Sequence, residues 1–221
     1  MAESRHVSLN PADAISYDEF DLDAAIANAS RSVDENRIRG LMIHQCSSEL
    51  RWCTASLARK YSKSRSLVTR LAIHQGIKKI FERDFVSTIE AASDKVFSLS
   101  RDLDDRAWFE NGHFSFAITG EKSFHTYIDR VDIDRCGRLG SVLGLKSYVI
   151  RQIVLASGLV YSSSLPDHSM NILGEELKRF LRWGQERAQK AERELKRVER
   201  EAVANARSTP PRMDGHDVFG D

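Results

Sequence analysis

The sequence predicts a mainly α-helical protein with short β-strands, and three observations support this fold class. Only four prolines occur in 221 residues, and none lies between residues 12 and 165, which favours helices packed through short connections. Apolar residues recur every three or four positions over much of the chain, as on the buried face of a helix. A strand-like segment followed by two helical segments is repeated further along the chain.

Local patterns place the elements of the first half. The segment 38–45 (IRGLMIHQ) alternates weakly between apolar and polar residues and is predicted to form a strand. Ser47 and Ser48 precede one helical apolar pattern and Ser64 precedes the next, and serine is favoured at an N-cap because its hydroxyl accepts a backbone N–H. A short helix is expected at about 21–35, and an amphipathic helix at 84–105.

The second half contains a predicted hairpin, two further helices and one long helix. The segments 113–119 and 123–131 are predicted to pair around Gly120, and helices follow at about 133–143 and 146–160. The long helix, about 171–206, has an apolar seam with coiled-coil spacing. The seam is predicted to consist of Leu173, Leu177, Phe180, Gly184, Ala188, Ala191, Leu195, Val198 and Ala202.

The repeat is defined by the shift along the chain that places Gly76 on Gly158. The apolar positions around these glycines then also correspond. The matched pairs are Val68 with Ile150, Leu71 with Ile153, Ile73 with Leu155, Ile77 with Leu159, Leu57 with Leu139 and Tyr61 with Leu143. The predicted organisation is an acidic segment (1–37), a first unit (38–83), a connecting helix (84–112), a second unit (113–165), a charged helix (166–206) and a disordered tail (207–221).

Positive charge is concentrated in the first unit. The whole chain carries a net charge of only +1, but residues 38–80 contain nine Lys or Arg against one acidic residue. Such a concentration favours binding to phosphates, because each neutralised phosphate releases counterions. A solvated helix face would usually mix the two signs.

Other classes of protein find little support in the sequence. No apolar run is long enough to span a membrane, and the N-terminal segment 1–20 lacks a signal-peptide core, so we expect a cytoplasmic protein without membrane contact. The three cysteines form no CxxC pair and the seven histidines show no ligand spacing. We therefore expect no disulfide scaffold, no metal and no cofactor.

Residues 37–81 resemble the ribbon-helix-helix superfamily, to which the Arc-type repressors belong. The resemblance lies in the strand, the helix start SSEL (47–50), the turn LARKYSKSRS and the helix LVTRLAIHQGIKKIF. It implies that two antiparallel strands form a ribbon that enters the major groove of double-stranded DNA. The complete expectation is tandem ribbon-helix-helix-like units with a connecting helix and a long C-terminal helix.

The resemblance implies two groups of DNA-binding residues. Outward positions of the strands would be Leu41, Ile43 and Gln45 in the first unit and Ser123, His125 and Tyr127 in the second. Leu41 and Ile43 cannot hydrogen-bond to bases, so either the register is shifted or the first unit mainly grips the backbone. The expected base-reading residues are Arg39, Gln45, His125 and Tyr127. The expected phosphate contacts are Arg59, Lys60, Lys63, Ser64, Arg65, Ser66, Lys146 and Ser147.

These features predict a sequence-specific transcriptional regulator, or an accessory factor for plasmid or mobile-element DNA, and not an enzyme. The ribbon could form within one chain or in a homodimer, and the C-terminal helix could bind a protein partner. Three alternatives remain open. Residues 47–80 also fit a helix-turn-helix; Asp129, Asp132 and Asp134 could hold a divalent metal in a nuclease; and residues 84–105 and 171–206 could be the working surfaces of an adaptor.

Overall fold

Helices dominate the described part of the chain, as the apolar spacing predicts. A computed structural model describes residues 21–29, 39–44, 47–97 and 123–208. In chain order, its elements are α1 (Leu22–Asn28), β1 (Arg39–His44), α2 (Ser48–Lys60), α3 (Arg65–Phe81), α4 (Phe85–Phe97), β2 (Phe124–Asp129), α5 (Arg130–Leu143), α6 (Ser147–Leu159) and α7 (Asp167–Ser208). The mainly α fold class with short strands is confirmed.

Serine hydroxyls begin α2 and α3 where the sequence predicts them. The Ser47 hydroxyl accepts the backbone N–H of Leu50 at 3.3 Å, and that of Ser64 accepts the N–H of Leu67 at 3.2 Å. Between the two helices the backbone turns at Ser62, whose φ of 51° is left-handed. Each cap satisfies one of the amides that the first helical turn leaves without a partner.

The two strands come from opposite halves of the chain and pair antiparallel in one two-stranded ribbon. Arg39 lies opposite Asp129 and His44 lies opposite Phe124. The side chains of Met42, Phe124, Thr126 and Ile128 are buried, whereas those of Leu41, His125 and Tyr127 are exposed. The ribbon therefore has one face in the core and one exposed face, as the alternation of a strand requires.

Helices α3 and α6 cross at the centre of the core, and their glycines allow the close approach. A Cβ on Gly76 would lie 1.9 Å from the carbonyl oxygen of Val154, and a Cβ on Gly158 would lie 1.8 Å from that of Ala72. Neither position has room for a side chain. The two glycines that correspond in the repeat therefore lie at the same crossing, one on each helix.

The long helix α7 packs against α4 of the same chain. Phe85 and Phe180 meet edge to face, with ring centroids 6.1 Å apart, and Lys95 forms an ion pair with Glu199 at 3.0 Å. The predicted seam is buried or half-buried from Leu173 to Val198, but Ala202 is exposed. The inward assignment of Ala202 was wrong, and the sequence missed the buried ring of Trp183.

Several helices begin or end at other residues than the sequence predicted. Helix α7 begins at Asp167 and continues to Ser208, so it is longer at both ends than predicted. Helix α5 begins at Arg130 directly after β2, where the sequence predicted continued strand. Helix α1 ends at Asn28, earlier than predicted.

Some predicted elements lie outside the described residues. These are the hairpin partner 113–119, the end of the connecting helix beyond residue 97, and the tail after residue 208.

Among the described helices, none alone has the length and apolar composition to cross a membrane. Helices α5 and α6 meet that criterion only together, across a 115° bend.

Candidate nucleic-acid interface

The exposed face of the ribbon carries two large apolar side chains that lie side by side. Leu41 is 53% exposed and Tyr127 is 61% exposed, and the two residues are directly opposite each other in the register. His125, also exposed, is the next outward residue on β2. A two-stranded ribbon has the width of a DNA major groove, so such a face can present its side chains to base edges.

Arg39, another expected base reader, is paired with an acidic side chain within the ribbon. Arg39 Nε lies 3.6 Å from Asp129 Oδ1, and both side chains are less than one-fifth exposed. The ion pair joins the two strands at one end of the ribbon, and it holds the guanidinium against a carboxylate. Gln45 lies outside the described residues.

The start of α3 lies against the start of β2. The Arg65 guanidinium stacks over the ring of Phe124, with Cζ 4.5 Å from the ring centroid, and Arg65 remains exposed. Its neighbour Ser64 caps the helix, and Ser66 is half-buried. Free amides and the positive end of the helix dipole occupy this turn, so it can bind an anion such as a phosphate.

The start of α6 lies beside β1. Lys146 and Ser147, together with Met42 of β1, line a cleft of about 510 Å³. Lys146 is the N-cap residue and provides no side-chain cap, and the Ser147 hydroxyl accepts a hydrogen bond from Arg151 Nη2 at 2.5 Å. This turn has the same chemistry as the start of α3: helix amides, a serine and a basic side chain.

The first residue is the most exposed residue of each of the two central helices. Arg65 is the one exposed residue of α3, and Ser147 is the one exposed residue of α6; every other position is buried or half-buried. Beyond its first residue, each helix reaches solvent only through half-buried positions, such as His74 in α3. Their N-termini, next to the two strands of the ribbon, are the parts that can reach a ligand.

Two of the lysines expected at phosphates are engaged within the protein. Lys60 Nζ donates to the hydroxyl of Ser164 at 2.6 Å, and Lys63 Nζ donates to the carbonyl oxygen of Ala29 at 2.7 Å. Arg59, at the end of α2, is exposed. Lys60 and Lys63 therefore tie α2 and the following turn to other parts of the chain, a role that the sequence did not indicate.

Beside these lysines lies a polar cluster that the sequence also did not indicate. The carboxylate of Asp23, only 7% exposed, accepts hydrogen bonds from the hydroxyls of Tyr61, Ser162 and Ser163 and from the backbone N–H of Ser164. Burial acts to raise the pKa of Asp23, but these hydrogen bonds together outweigh it and lower that pKa to about 2. The cluster attaches α1 to the loop after α6.

The three aspartates considered as metal ligands have separate partners. Asp129 pairs with Arg39, and Asp134 pairs with Arg130 at 3.4 Å. Asp132 is 2% exposed, and its Oδ2 lies 3.0 Å from His74 Nδ1. Nowhere in the described ranges do three His, Cys, Asp or Glu side chains gather as ligands for a metal ion.

Arg130 is a further basic residue beside the ribbon, which the sequence patterns did not indicate. It is exposed and is the first residue of α5, immediately after β2. Asp129 before it, a residue type common at N-caps, was the available signal for a helix start there.

No family model, curated protein or solved structure matches this chain.

Proposed function

We propose that this protein binds double-stranded DNA by placing the exposed face of its ribbon in the major groove. The single observation that carries the proposal is the position of the two helix N-termini. The starts of α3 and α6, at Arg65 and Lys146, lie beside β2 and β1 respectively. A ribbon in the groove would therefore have an anion-binding turn next to each of its strands.

The order of the elements supports a tandem ribbon-helix-helix arrangement. Strand, helix and helix follow one another twice, as β1-α2-α3 and as β2-α5-α6. The first residues of α3 and α6, Arg65 and Ser147, correspond under the same shift as the crossing glycines. In this proposal one chain supplies both strands of the ribbon. The ribbon-helix-helix proteins that it resembles assemble such a ribbon from two strand-helix-helix units.

The same geometry favours a ribbon over a helix-turn-helix. A recognition helix must expose a face to the groove, whereas every position of α3 after Arg65 is buried or half-buried. The proposed role is a DNA-binding regulator or an accessory factor for plasmid or mobile-element DNA, without catalysis. Leu41, His125 and Tyr127 would contact base edges, and Arg65, Lys146, Ser147 and Arg59 would contact phosphates.

Charge reversal at the two helix N-termini tests this proposal. Fluorescence anisotropy with labelled duplex DNA should show tight, salt-sensitive binding for the unaltered protein. Arg65→Glu and Lys146→Glu should each weaken binding at least tenfold, because each introduces repulsion with a phosphate. Arg193→Glu, a charge reversal at an exposed position of α7, is the matched control and should bind like the unaltered protein. Unchanged affinity in both ribbon-side variants would overturn the proposal.

A further inference from the structure

The two ends of the exposed ribbon face are chemically different. At one end, Leu41 lies opposite Tyr127, next to the Arg39–Asp129 ion pair. The repeat makes Ser123, an exposed residue beside the other end, the counterpart of Leu41. Likewise, Ile43 and His125 are counterparts, and they lie directly opposite each other in the register. The repeat thus relates leucine to serine and isoleucine to histidine.

A protein dimer with identical strands reads a palindrome, because its own dyad is matched by that of the DNA. Here both strands belong to one chain and present different side chains. On the basis of the proposed function, we infer that one chain binds a DNA site without dyad symmetry, in which thymine methyl groups contact the Leu41–Tyr127 pair.

The chemistry of this pair identifies the base. A leucine side chain offers neither donor nor acceptor, so it can distinguish bases only by apolar contact. In the major groove, the C5 methyl group of thymine is the apolar feature that a base edge presents. Leu41 and Tyr127 are both more than half exposed and adjacent, so contact with such methyl groups would remove apolar surface of both partners from water.

Contact with thymine methyl groups would be the main source of specificity of the Leu41–Tyr127 pair. Arg39, at the same end of β1, is held by Asp129, which makes it a poor reader of guanine. His125, the next outward residue on β2, can donate or accept a hydrogen bond and would read the adjoining base pair. The site would therefore combine a thymine-containing half with a half of different sequence.

Selection from random duplexes, followed by sequencing, tests the symmetry. We expect an enriched site without an inverted repeat, bound by one chain as measured by analytical ultracentrifugation with labelled DNA. An enriched inverted repeat bound by two chains would overturn the inference and leave the proposed function standing. If no sequence is enriched and no duplex is bound, the proposed function itself fails, and this inference fails with it.

Deoxyuridine substitution tests the methyl contact, because it removes only the C5 methyl group. Replacing the contacted thymine should weaken binding of the unaltered protein about fourfold, the equivalent of one buried methyl group. Leu41→Ala should weaken binding to the thymine site and lose most of the response to deoxyuridine. Val203→Ala, at an exposed apolar position of α7, should keep the full response. An equal deoxyuridine effect in Leu41→Ala and the unaltered protein at every thymine of the site would overturn the methyl contact.

Discussion

Gly76 and Gly158 each lie against the backbone of the helix that carries the other. Gly76 of α3 faces the Val154 carbonyl of α6, and Gly158 of α6 faces the Ala72 carbonyl of α3. Ala72 and Val154 are themselves counterparts in the repeat. The crossing is therefore symmetric in its contacts, although its two helices differ in sequence.

Adding a methyl group at either glycine should destabilise the protein. Gly76→Ala and Gly158→Ala would each place a Cβ inside contact distance of a rigid carbonyl, and we expect a loss of about 1–3 kcal/mol or more in the free energy of unfolding. Gly137→Ala and Gly174→Ala are matched controls in helices, where the added Cβ meets no atom within 4 Å. They should stabilise by about 0.4–1 kcal/mol. Urea denaturation measures all four, and equal effects in both pairs would contradict the crossing.

The Asp23 cluster predicts a loss of stability in acid. The pKa of the Asp23 carboxyl group is about 2 in the folded protein, against an ordinary value of 3.8, so the folded state favours the carboxylate. The contribution is fully present above about pH 4 and is lost as the pH falls through 2. It amounts to about 2 kcal/mol.

Replacing the Asp23 carboxylate should remove the part of the free energy of unfolding that is lost in acid. Asp23→Asn should be less stable at neutral pH and should lose less on acidification, as measured by urea midpoints over a pH series. Asp94→Asn, at an exposed position of α4, should follow the unaltered protein. A parallel pH dependence in Asp23→Asn would show that the cluster does not lower the pKa of Asp23.

The contact between His74 and Asp132 should matter for stability. Asp132 is buried, and after removal of the imidazole its nearest described ion-pair partner would be Arg135, at 3.9 Å. We expect His74→Ala to cost about 1–3 kcal/mol, the usual effect of leaving a buried polar group without its hydrogen bond. His125→Ala, which removes an exposed imidazole from the ribbon, is the control and should leave the melting temperature nearly unchanged. Equal melting temperatures for both variants would refute the structural role of His74.

Two buried thiols should be inert in the folded protein. Burial raises the pKa of Cys53 to about 11 and that of Cys136 to about 12, which keeps both sulfurs in the unreactive thiol form. Alkylation with iodoacetamide, followed by peptide mass spectrometry, should leave both unmodified until urea is added. A cysteine introduced by Ser123→Cys, at an exposed position, should react at once. Rapid native labelling of Cys136 would contradict its burial.

Arg59 and Lys63 should behave differently in DNA binding. Arg59 is exposed, so Arg59→Ala should lower the slope of log affinity against log salt by about 1, equally for all DNA sequences. Lys63 is bound to the Ala29 carbonyl, so Lys63→Met should mainly lower stability and change the slope less. Anisotropy titrations over a salt series measure the slopes. An unchanged slope in Arg59→Ala would exclude it from the interface.

The sequence by itself determined the local structure. Helical spacing of apolar residues, the cap serines before α2 and α3, and alternation in the strands act between residues a few positions apart, so they can be recognised without knowing the fold. These patterns located α2, α3 and α6 closely and assigned the inward and outward positions of β2. The repeat also singled out Gly76 and Gly158.

Only the tertiary structure decided which distant residues meet. It paired β2 with β1, tied Arg39 to Asp129, engaged Lys60 and Lys63 within the chain, and placed Arg65 against Phe124. The partners in these contacts lie far apart in the sequence, and no local pattern encodes such a partner. The sequence does not show whether a charged side chain faces solvent or a neighbouring polar group. Its role depends on the groups that tertiary packing places beside it.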